Sequence, residues 1–433
     1  MNTIKEKIIT KDGLHLHLIP NKKFKTISFV AKFKAPLTRE TITKRALLPY
    51  ILRQGTKNYP TEQDLQLKLD ELYGAVLSID AAKKGNNHIL SIRLDVANQK
   101  YIPETSDVID ESIQLLHDII FQPRTEQNGF QKKVFERERE TLRQKMRAII
   151  DDKMMYANIR LIDEMCEGEA YQLHVHGYEE DLDKLTAEEL YAYYTNLLKE
   201  DALDLYVLGD FDSELMAEKV TQTISKKSKQ TIPVSEDEKI DLTEAPKVII
   251  ETDDIQQAKL HIGYRTHCTY KDDDYYALQV FNGLFGGFPS SKLFINVREK
   301  NSLAYYAASR IESHKGLLLV FSGIDANDYE DAREIIEQQM TAMKNGDFSL
   351  DELEETKDLV INQLLETIDN PRGIVELLYQ QVLAGKRITP EVLIQNIKKV
   401  TKDDVVRVAK NIKTDTIYLL TNKDGDIDAK ENI

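Results

Sequence analysis

The sequence predicts an α+β protein built from two tandem homologous halves. Strands joined by short turns alternate with groups of helices. A polar segment over residues 226–246 lacks periodicity, and the pattern of the first half begins again after it. Because 433 residues are too many for one ordinary core, we expect an N-terminal half over 1–228, a linker over 229–246 and a C-terminal half over 247–433.

Residue periodicity predicts the elements of the N-terminal half. Apolar residues that alternate with polar ones between turn residues indicate strands over 4–10, 14–20, 26–34, 75–81, 88–96 and 203–209. Apolar residues spaced three and four apart indicate helices over 43–54, 61–73, 105–121, 126–150, 154–166, 186–199 and 212–225. Thr61 is a suitable N-cap for the second of these helices.

The C-terminal half predicts a similar series. After strands over 247–254 and 258–267 come a strand pair and helices over 272–285, 291–301, 328–344 and 350–366. The stretch Gly74–Asn98 matches the stretch Leu303–Asn327 without a gap. Both have 25 residues, and both consist of a strand, a Lys-Gly turn, a second strand and an Ala-Asn ending. This repeat favours a duplication.

Composition limits the classes of function. The 73 acidic and 58 basic residues give a formal net charge of −15, which disfavours nucleic acid and anionic membranes as partners. Cys166 and Cys268 are the only cysteines, so neither a disulfide framework nor a cysteine-based zinc cluster is expected. Charges interrupt the N-terminal segment, and no apolar run reaches about 18 residues. We therefore expect a cytoplasmic protein.

Three segments resemble those of a known family. Residues 45–61, RALLPYILRQGTKNYPT, lie where the family has an H-x-x-E-H helix followed by a K-G-T-x-x-Y-P turn. Residues 286–310, GGFPSSKLFINVREKNSLAYYAASR, match a segment with S-S-[RK]-L-F and R-E-x-x-x-L-A-Y. Residues 171–194, YQLHVHGYEEDLDKLTAEELYAYY, match a Gly-containing turn followed by D-L-x-x-[LI]-T and a helix. The chain thus resembles the insulinase/pitrilysin-type zinc metallopeptidases, which include the mitochondrial processing peptidase.

The resemblance also implies a fold and an assembly. Each half is expected to hold two LuxS/metallohydrolase-like domains, each an antiparallel sheet flanked by helices. Two such chains are expected to face each other as a clamshell around a chamber.

The zinc-binding helix of the family is degenerate in this chain. Its two histidine positions match Ala46 and Tyr50, and its general-base position matches Pro49. Alanine offers no ligand, proline has no carboxylate, and a phenol with a pKa of about 10 is a poor zinc ligand. Glu136 is the best match to the third zinc ligand. Because one carboxylate does not hold zinc tightly, we predict no metal, no other cofactor and no catalytic residue.

Two pairs of histidines are the candidates for a shifted metal site. His15 and His17, and likewise His174 and His176, share one strand face if their segments are extended. No Glu-rich helix is obviously paired with either of them. We therefore interpret both pairs as ordinary surface or strand histidines.

A substrate-contacting segment is retained in the C-terminal half. The resemblance places Arg298 and Tyr305 at an Arg and a Tyr that contact the substrate backbone and stabilise the oxyanion. Both side chains direct N–H or O–H donors at developing negative charge. Gly286 and Gly287 belong to a Gly-rich stretch that can approach a peptide backbone closely or end a helix. The alternative is that Arg298 pairs with Glu299 and that Tyr305 is an ordinary strand residue.

These features predict a catalytically inactive homologue of the family. Some bacterial members divide the work between paired subunits, of which one carries H-x-x-E-H and the other the Arg/Tyr pair. We therefore expect the non-catalytic, peptide-contacting subunit of a heterodimeric metallopeptidase, paired with an H-x-x-E-H chain. A stand-alone peptide-binding or scaffold protein acting as a homodimer, and an enzyme that works by an unrecognised route, remain the alternatives.

Overall fold

A computed structural model describes three stretches of the chain, residues 4–102, 107–225 and 245–422. Most of the expected linker, residues 229–244, lies outside these described residues. Within the described stretches, no helix combines the length and the apolar character that a bilayer crossing requires.

Strands and helices alternate along the chain. The strands, β1 to β13 in order, are Lys7–Lys11, Leu14–Pro20, Thr26–Pro36, Val76–Lys84, Asn87–Ala97, Thr125–Glu126, Gly129–Phe130, Ala202–Gly209, Lys247–Thr252, Ala258–Arg265, Ala304–Glu312, Leu317–Ile324 and Lys413–Thr421. The α-helices, α1 to α14 in order, are Ile42–Leu52, Glu62–Glu71, Val108–Phe121, Lys132–Asp151, Lys153–Met165, Glu179–Leu182, Ala187–Glu200, Ser213–Thr223, Tyr275–Asn282, Tyr329–Asn345, Leu350–Ile368, Pro371–Ala384, Pro390–Lys399 and Lys402–Asn411.

The first sheet has six strands in the order β1-β2-β8-β3-β5-β4. Strands β2 and β8 run parallel, and the other neighbours are antiparallel. Alternate side chains of a strand point to the same face, and one face of this sheet packs with helices in a first core. Phe29 and Phe33 of β3, Leu47 of α1 and Leu116 of α3 belong to this core.

The second sheet repeats this topology with five strands in the order β11-β12-β10-β13-β9. Strands β13 and β9 run parallel, and the other neighbours are antiparallel. Read from the parallel pair, the order β9-β13-β10-β12-β11 corresponds to β2-β8-β3-β5-β4 of the first sheet. The predicted hairpins are β4–β5 and β11–β12, and each ends its sheet. This agreement of strand order and direction supports a duplication.

The second sheet is buried on both faces. One face packs in a second core that includes Phe281 of α9 and Ile336 of α10. The opposite face is covered by α5, where Leu161 packs in a cluster with Leu319 and Tyr418. Helix α5 therefore gives this sheet an apolar layer on each side.

The chain divides into two compact units. The first comprises Met1–Ala148, Leu173–Asp237 and Pro371–Val375. The second comprises Ile149–Gln172, Glu238–Asn370 and Glu376–Ile433. Each unit thus takes in a short piece of chain from the other half of the sequence.

The structure confirms the predicted α+β class with its antiparallel sheets and corrects three details. Each unit has one main sheet in the described residues, so two domains per half are not found. The start of the helix predicted over 126–150 is the short hairpin β6–β7, because α4 begins at Lys132. The segment predicted as helix over 291–301 runs as a π-helix over Phe294–Lys300.

Candidate functional site

Helix α1 carries the three residues at the degenerate zinc-helix positions. Ala46 packs in the first core, Pro49 is buried, and Tyr50 is half-buried against the same core. Pro49 has no N–H with which to bond the carbonyl four residues earlier. No imidazole or carboxylate projects from these positions, so α1 is a packing helix.

The donor chemistry of α1 does not fit a zinc ion. Burial raises the pKa of the Tyr50 phenol, Arg53 opposes this shift and Glu138 adds to it. The phenol therefore stays protonated at neutral pH, which makes it a poor ligand. Across the described stretches, no group of three or more His, Cys, Asp or Glu side chains is arranged to hold a metal ion.

Helix α4 buries Glu138 and leaves Glu136, the predicted match to the third zinc ligand, in solvent. Its buried face includes Phe135, Glu138 and Leu142, whereas Glu136 is exposed to solvent. Glu138 accepts a bond from Arg137 Nε at 2.7 Å, and Arg137 also donates to Oε1 of Gln54, just after α1. The carboxylate that faces the degenerate helix is therefore Glu138. Its spacing of three from Phe135 and four from Leu142 was the available sequence signal.

Arg45 is a fully buried cation on α1 that sequence reasoning missed. Its Nη1 donates to Asp201 Oδ2 at 2.6 Å, and its Nε donates to His88 Nδ1 at 2.8 Å. Its Nη2 donates to the Phe33 carbonyl at 3.0 Å. These bonds join α1 to β3, to β5 and to the end of α7. The signal was an arginine within an otherwise apolar stretch of helix.

The bond from Arg45 also determines the protonation state of His88. Burial and the positive charge of Arg45 lower the pKa of His88 to about 3. Because Nδ1 accepts the bond, the ring proton must lie on Nε2. The imidazole is therefore neutral across the physiological range, and it serves α1 as a structural acceptor.

The first histidine pair lies on β2 and binds carboxylates. Nδ1 of His15 and Nε2 of His17 lie 3.4 and 3.0 Å from Asp204 Oδ1, and Nδ1 of His17 lies 2.7 Å from Glu6 Oε1. Burial lowers the pKa of His17, but the bonds to Asp204 and Glu6 outweigh it and leave this pKa raised. The two histidines overcome the effect of burial on Asp204 and lower its pKa to about 2. This group is a buried ion-pair cluster.

The second histidine pair lies in a turn instead of a strand. The carbonyl of His174 accepts a bond from the amide of Gly177 at 2.9 Å, which closes the turn. The ring of His174 stacks on Tyr178 with centroids 5.0 Å apart. Burial lowers the pKa of His176. The two pairs therefore have separate structural roles.

Arg298 and Tyr305 both reach solvent in the second unit. The Arg298 side chain is 42% exposed, its guanidinium lies 4.6 Å from the centre of the Phe294 ring, and its Nε lies 3.6 Å from Glu299 Oε1. Tyr305 is 74% exposed and lies near the start of the edge strand β11. Both side chains are therefore accessible to a ligand. The Glu299 neighbour is also present, as expected if Arg298 simply forms an ion pair with it.

The glycines beside this segment divide into buried and exposed positions. Gly286 is buried, and a Cβ there would lie 2.5 Å from Ser309 Oγ and 2.7 Å from the Ser309 nitrogen on β11. Its close approach is thus to the chain's own strand, which corrects its assignment as a substrate contact. Gly287 is exposed and keeps that candidacy.

Comparisons with known proteins agree with this geometry. Residues 184–360 match the family model described as the Peptidase M16 inactive domain. The chain is 47% identical over 425 residues to the Bacillus subtilis protein named "Probable inactive metalloprotease YmfF", covering 98% of this chain and 99% of that one.

Two further similarities extend the comparison. A crystal structure of a conserved protein from Enterococcus faecalis V583 superimposes with a TM-score of 0.90 at 33% identity, covering 96% of this chain and 99% of that one. Over 139 residues the chain is 30% identical to the Saccharomyces cerevisiae mitochondrial-processing peptidase subunit beta, covering 31% of this chain and 28% of that one. The chain belongs to the M16 metallopeptidase family, and its likeness to YmfF groups it with the inactive homologues.

Proposed function

We propose that this chain is a non-catalytic, substrate-contacting subunit of a heterodimeric metallopeptidase. The observation that carries the proposal is a contrast within one chain. The zinc-helix positions are occupied by residues without an imidazole or a carboxylate, whereas Arg298 and Tyr305 remain exposed. The partner would supply the H-x-x-E-H helix, the zinc ion and the general base.

The chemistry of the exposed pair supports this role. A guanidinium and a phenol donate hydrogen bonds and bind a peptide carbonyl or an oxyanion without metal. The contact of Arg298 with Glu299 is a solvent-exposed pair 3.6 Å apart, and such pairs contribute at most about 1 kcal/mol. A substrate carbonyl can therefore replace Glu299 at little cost in free energy.

The names of similar proteins support it as well. YmfF is named a probable inactive metalloprotease, and the yeast relative is named as a subunit of a processing peptidase. A chain without zinc ligands that is retained beside an active partner accounts for both descriptions.

Reconstitution tests the proposal. The chain and an H-x-x-E-H-bearing M16 chain from the same organism would be assayed separately and mixed, with a fluorogenic peptide library and zinc analysis of each. We expect no cleavage and no bound zinc for this chain alone, and increased chelator-sensitive cleavage in the mixture. Zinc at one per chain with chelator-sensitive cleavage by this chain alone would contradict the proposal.

Two substitutions locate the contribution of this chain. Arg298→Ala and Tyr305→Phe should each lower kcat/KM of the mixture by roughly one to two orders of magnitude, as expected for the loss of an oxyanion donor. Arg387→Ala and Tyr101→Phe, at other exposed positions, are the matched controls and should have little effect. Silent Arg298 and Tyr305 variants, together with a homodimer that binds peptides, would favour a stand-alone scaffold.

A further inference from the structure

The turn that carries Arg298 has an unusual backbone. Residues Phe294–Lys300 form a π-helix, a wider turn that is rare and frequently lies at functional sites. Val297 is fully buried in the second core, whereas Arg298 beside it is exposed. The direction of the Arg298 side chain thus depends on how this short segment is held.

Asn296 holds the segment through four hydrogen bonds. Its Nδ2 donates to the Lys292 carbonyl at 3.0 Å and to Gln339 Oε1 at 2.9 Å. Its Oδ1 accepts a bond from Lys300 Nζ at 3.3 Å, and its backbone carbonyl accepts one from Asn301 Nδ2 at 2.6 Å. Both polar atoms of the Asn296 side chain and its backbone carbonyl are therefore hydrogen-bonded.

The bonds of Asn296 reach both the π-helix and the residues that follow it. Arg298 lies on the π-helix, and Tyr305 follows it near the start of β11. Asn301, which bonds Asn296, stands between them, and the amide of Leu303 returns to the Val297 carbonyl at 3.0 Å. A shift of Asn296 would consequently move both exposed side chains.

Gln339 supplies a fixed reference point. It lies on α10, whose buried residues include Ile336, Met340 and Met343, so the helix backbone is fixed by packing. The adjacent Gln338 is exposed and donates to Glu334 on its own helix at 2.9 Å. Of these two neighbouring glutamines, Gln339 bonds the π-helix and Gln338 bonds its own helix.

We propose that Asn296 and Gln339 are positioning residues that set the direction of Arg298 and Tyr305 toward a bound peptide. This inference rests on the proposed function, because it needs Arg298 to contact the peptide. The Asn296–Gln339 bond anchors the π-helix to α10. Without this bond the segment keeps its local bonds and the packing of Val297, but it loses this side-chain link to α10.

The test compares Gln339→Ala with Gln338→Ala in the full chain. The probe is a fluorescein-labelled form of a peptide that the reconstituted enzyme cleaves, and its affinity is measured by anisotropy. Gln339→Ala should weaken binding roughly three- to tenfold, the value of one net hydrogen bond, and Gln338→Ala should not. Gln339→Glu keeps an acceptor for Asn296 Nδ2 and should restore most of the affinity.

Two further measurements separate positioning from general stability. Hydrogen exchange over residues 292–303 should rise in Gln339→Ala and stay unchanged in Gln338→Ala. In an Arg298→Ala/Tyr305→Phe background, Gln339→Ala should have no further effect on affinity.

The outcomes are distinguishable. If Arg298→Ala and Tyr305→Phe leave binding unchanged, the proposed function fails and the positioning role falls with it. If they weaken binding but Gln339→Ala does not, only the positioning role is wrong. An equal loss from Gln339→Ala in the Arg298→Ala/Tyr305→Phe background would also overturn it.

Discussion

The two sheets share one topology, but different side chains lie on the face opposite the main core. In the first unit, β2 and β8 place His17 and Asp204 there, and His17 bonds both Asp204 and Glu6. In the second unit, α5 covers this face with apolar side chains, and His261 of β10 lies beneath it. Neither ring nitrogen of His261 makes a well-formed hydrogen bond in the part of the chain that the structure describes, although the Ala157 backbone of α5 lies close enough to oppose the fall of its pKa.

The pKa values of the two buried histidines consequently shift in opposite directions. Carboxylates raise the pKa of His17 in spite of burial, whereas burial and Lys259 lower the pKa of His261 to about 3. Burial alone therefore does not determine the charge of a core histidine, because the neighbouring side chains determine it. The duplicated topology has been stabilised by an ionic cluster in one unit and by an apolar layer in the other.

A substitution that breaks the ionic cluster is expected to have the largest effect on the free energy of unfolding. Asp204→Ala should lower the free energy of unfolding by about 3 kcal/mol, because it leaves His17 buried beside fewer carboxylates. Urea denaturation measures this change. Asp183→Asn, in an exposed pair with Arg143, is the control and should cost less than about 1 kcal/mol. Equal effects of the two substitutions would contradict the buried role of Asp204.

The pH dependence of stability distinguishes the two histidines. His261 has its pKa lowered in the fold, so its contribution is fully present above about pH 6.5, the unfolded value, and is lost as the pH falls toward 3. This loss should reach about 2 kcal/mol between pH 6.5 and 5. His17 has a raised pKa, so its contribution is present below the unfolded value and is lost as the pH rises through the folded value.

The wild-type protein and His261→Phe would be unfolded with urea at several pH values. His88 also has a lowered pKa and remains in both proteins, so the difference between them isolates His261. The variant should show a shallower loss of stability below pH 6.5. Parallel curves would mean that His261 is not buried as a neutral ring.

At neutral pH, His261→Phe should itself be stabilising. The ring of His261 meets Phe321 edge-on, with centroids 5.1 Å apart, and phenylalanine keeps this contact while removing two buried polar atoms. We expect a gain of about 1 kcal/mol in thermal or urea unfolding. His17→Phe is the matched substitution in the first unit and should be destabilising, because it removes the ring that bonds both Asp204 and Glu6.

A substitution in a surface ion pair is expected to have the smallest effect on the free energy of unfolding, in contrast to the buried cluster. Glu299→Gln removes the acidic neighbour of Arg298 and should change the free energy of unfolding by less than about 0.5 kcal/mol. Peptide affinity should rise, by roughly twofold, because Arg298 loses a competing acceptor. A large loss of stability would show that the pair has a structural role.

Much of the fold follows from local patterns, but the pairing of distant strands does not. The alternation in β2 and β3 and the repeated hairpins indicate their strands directly. No element was predicted beyond residue 366, yet residues 413–421 form β13 between β10 and β9. Its place depends on partners about 150 residues away, and such pairing leaves no local periodicity.

The candidate site shows the same division between local and packed features. The absence of an imidazole or a carboxylate at Ala46, Pro49 and Tyr50 is visible in the residue types alone. Glutamates at every second position of FERERET concealed which glutamate is buried, and the packing of α4 buries Glu138 and leaves Glu136 exposed. Gly286 was assigned to substrate because its contact with Ser309 arises from a strand that comes later in the chain.

The position of β13 between β10 and β9 has a consequence for how this protein is made. A ribosome releases β9 and β10 long before residues 413–421 emerge, and until then these strands each lack a neighbour. The nascent second unit must therefore wait with open strand edges, which are sites for mispairing and for chaperone binding. The first unit can complete its sheet once β8, at residues 202–209, has been synthesised.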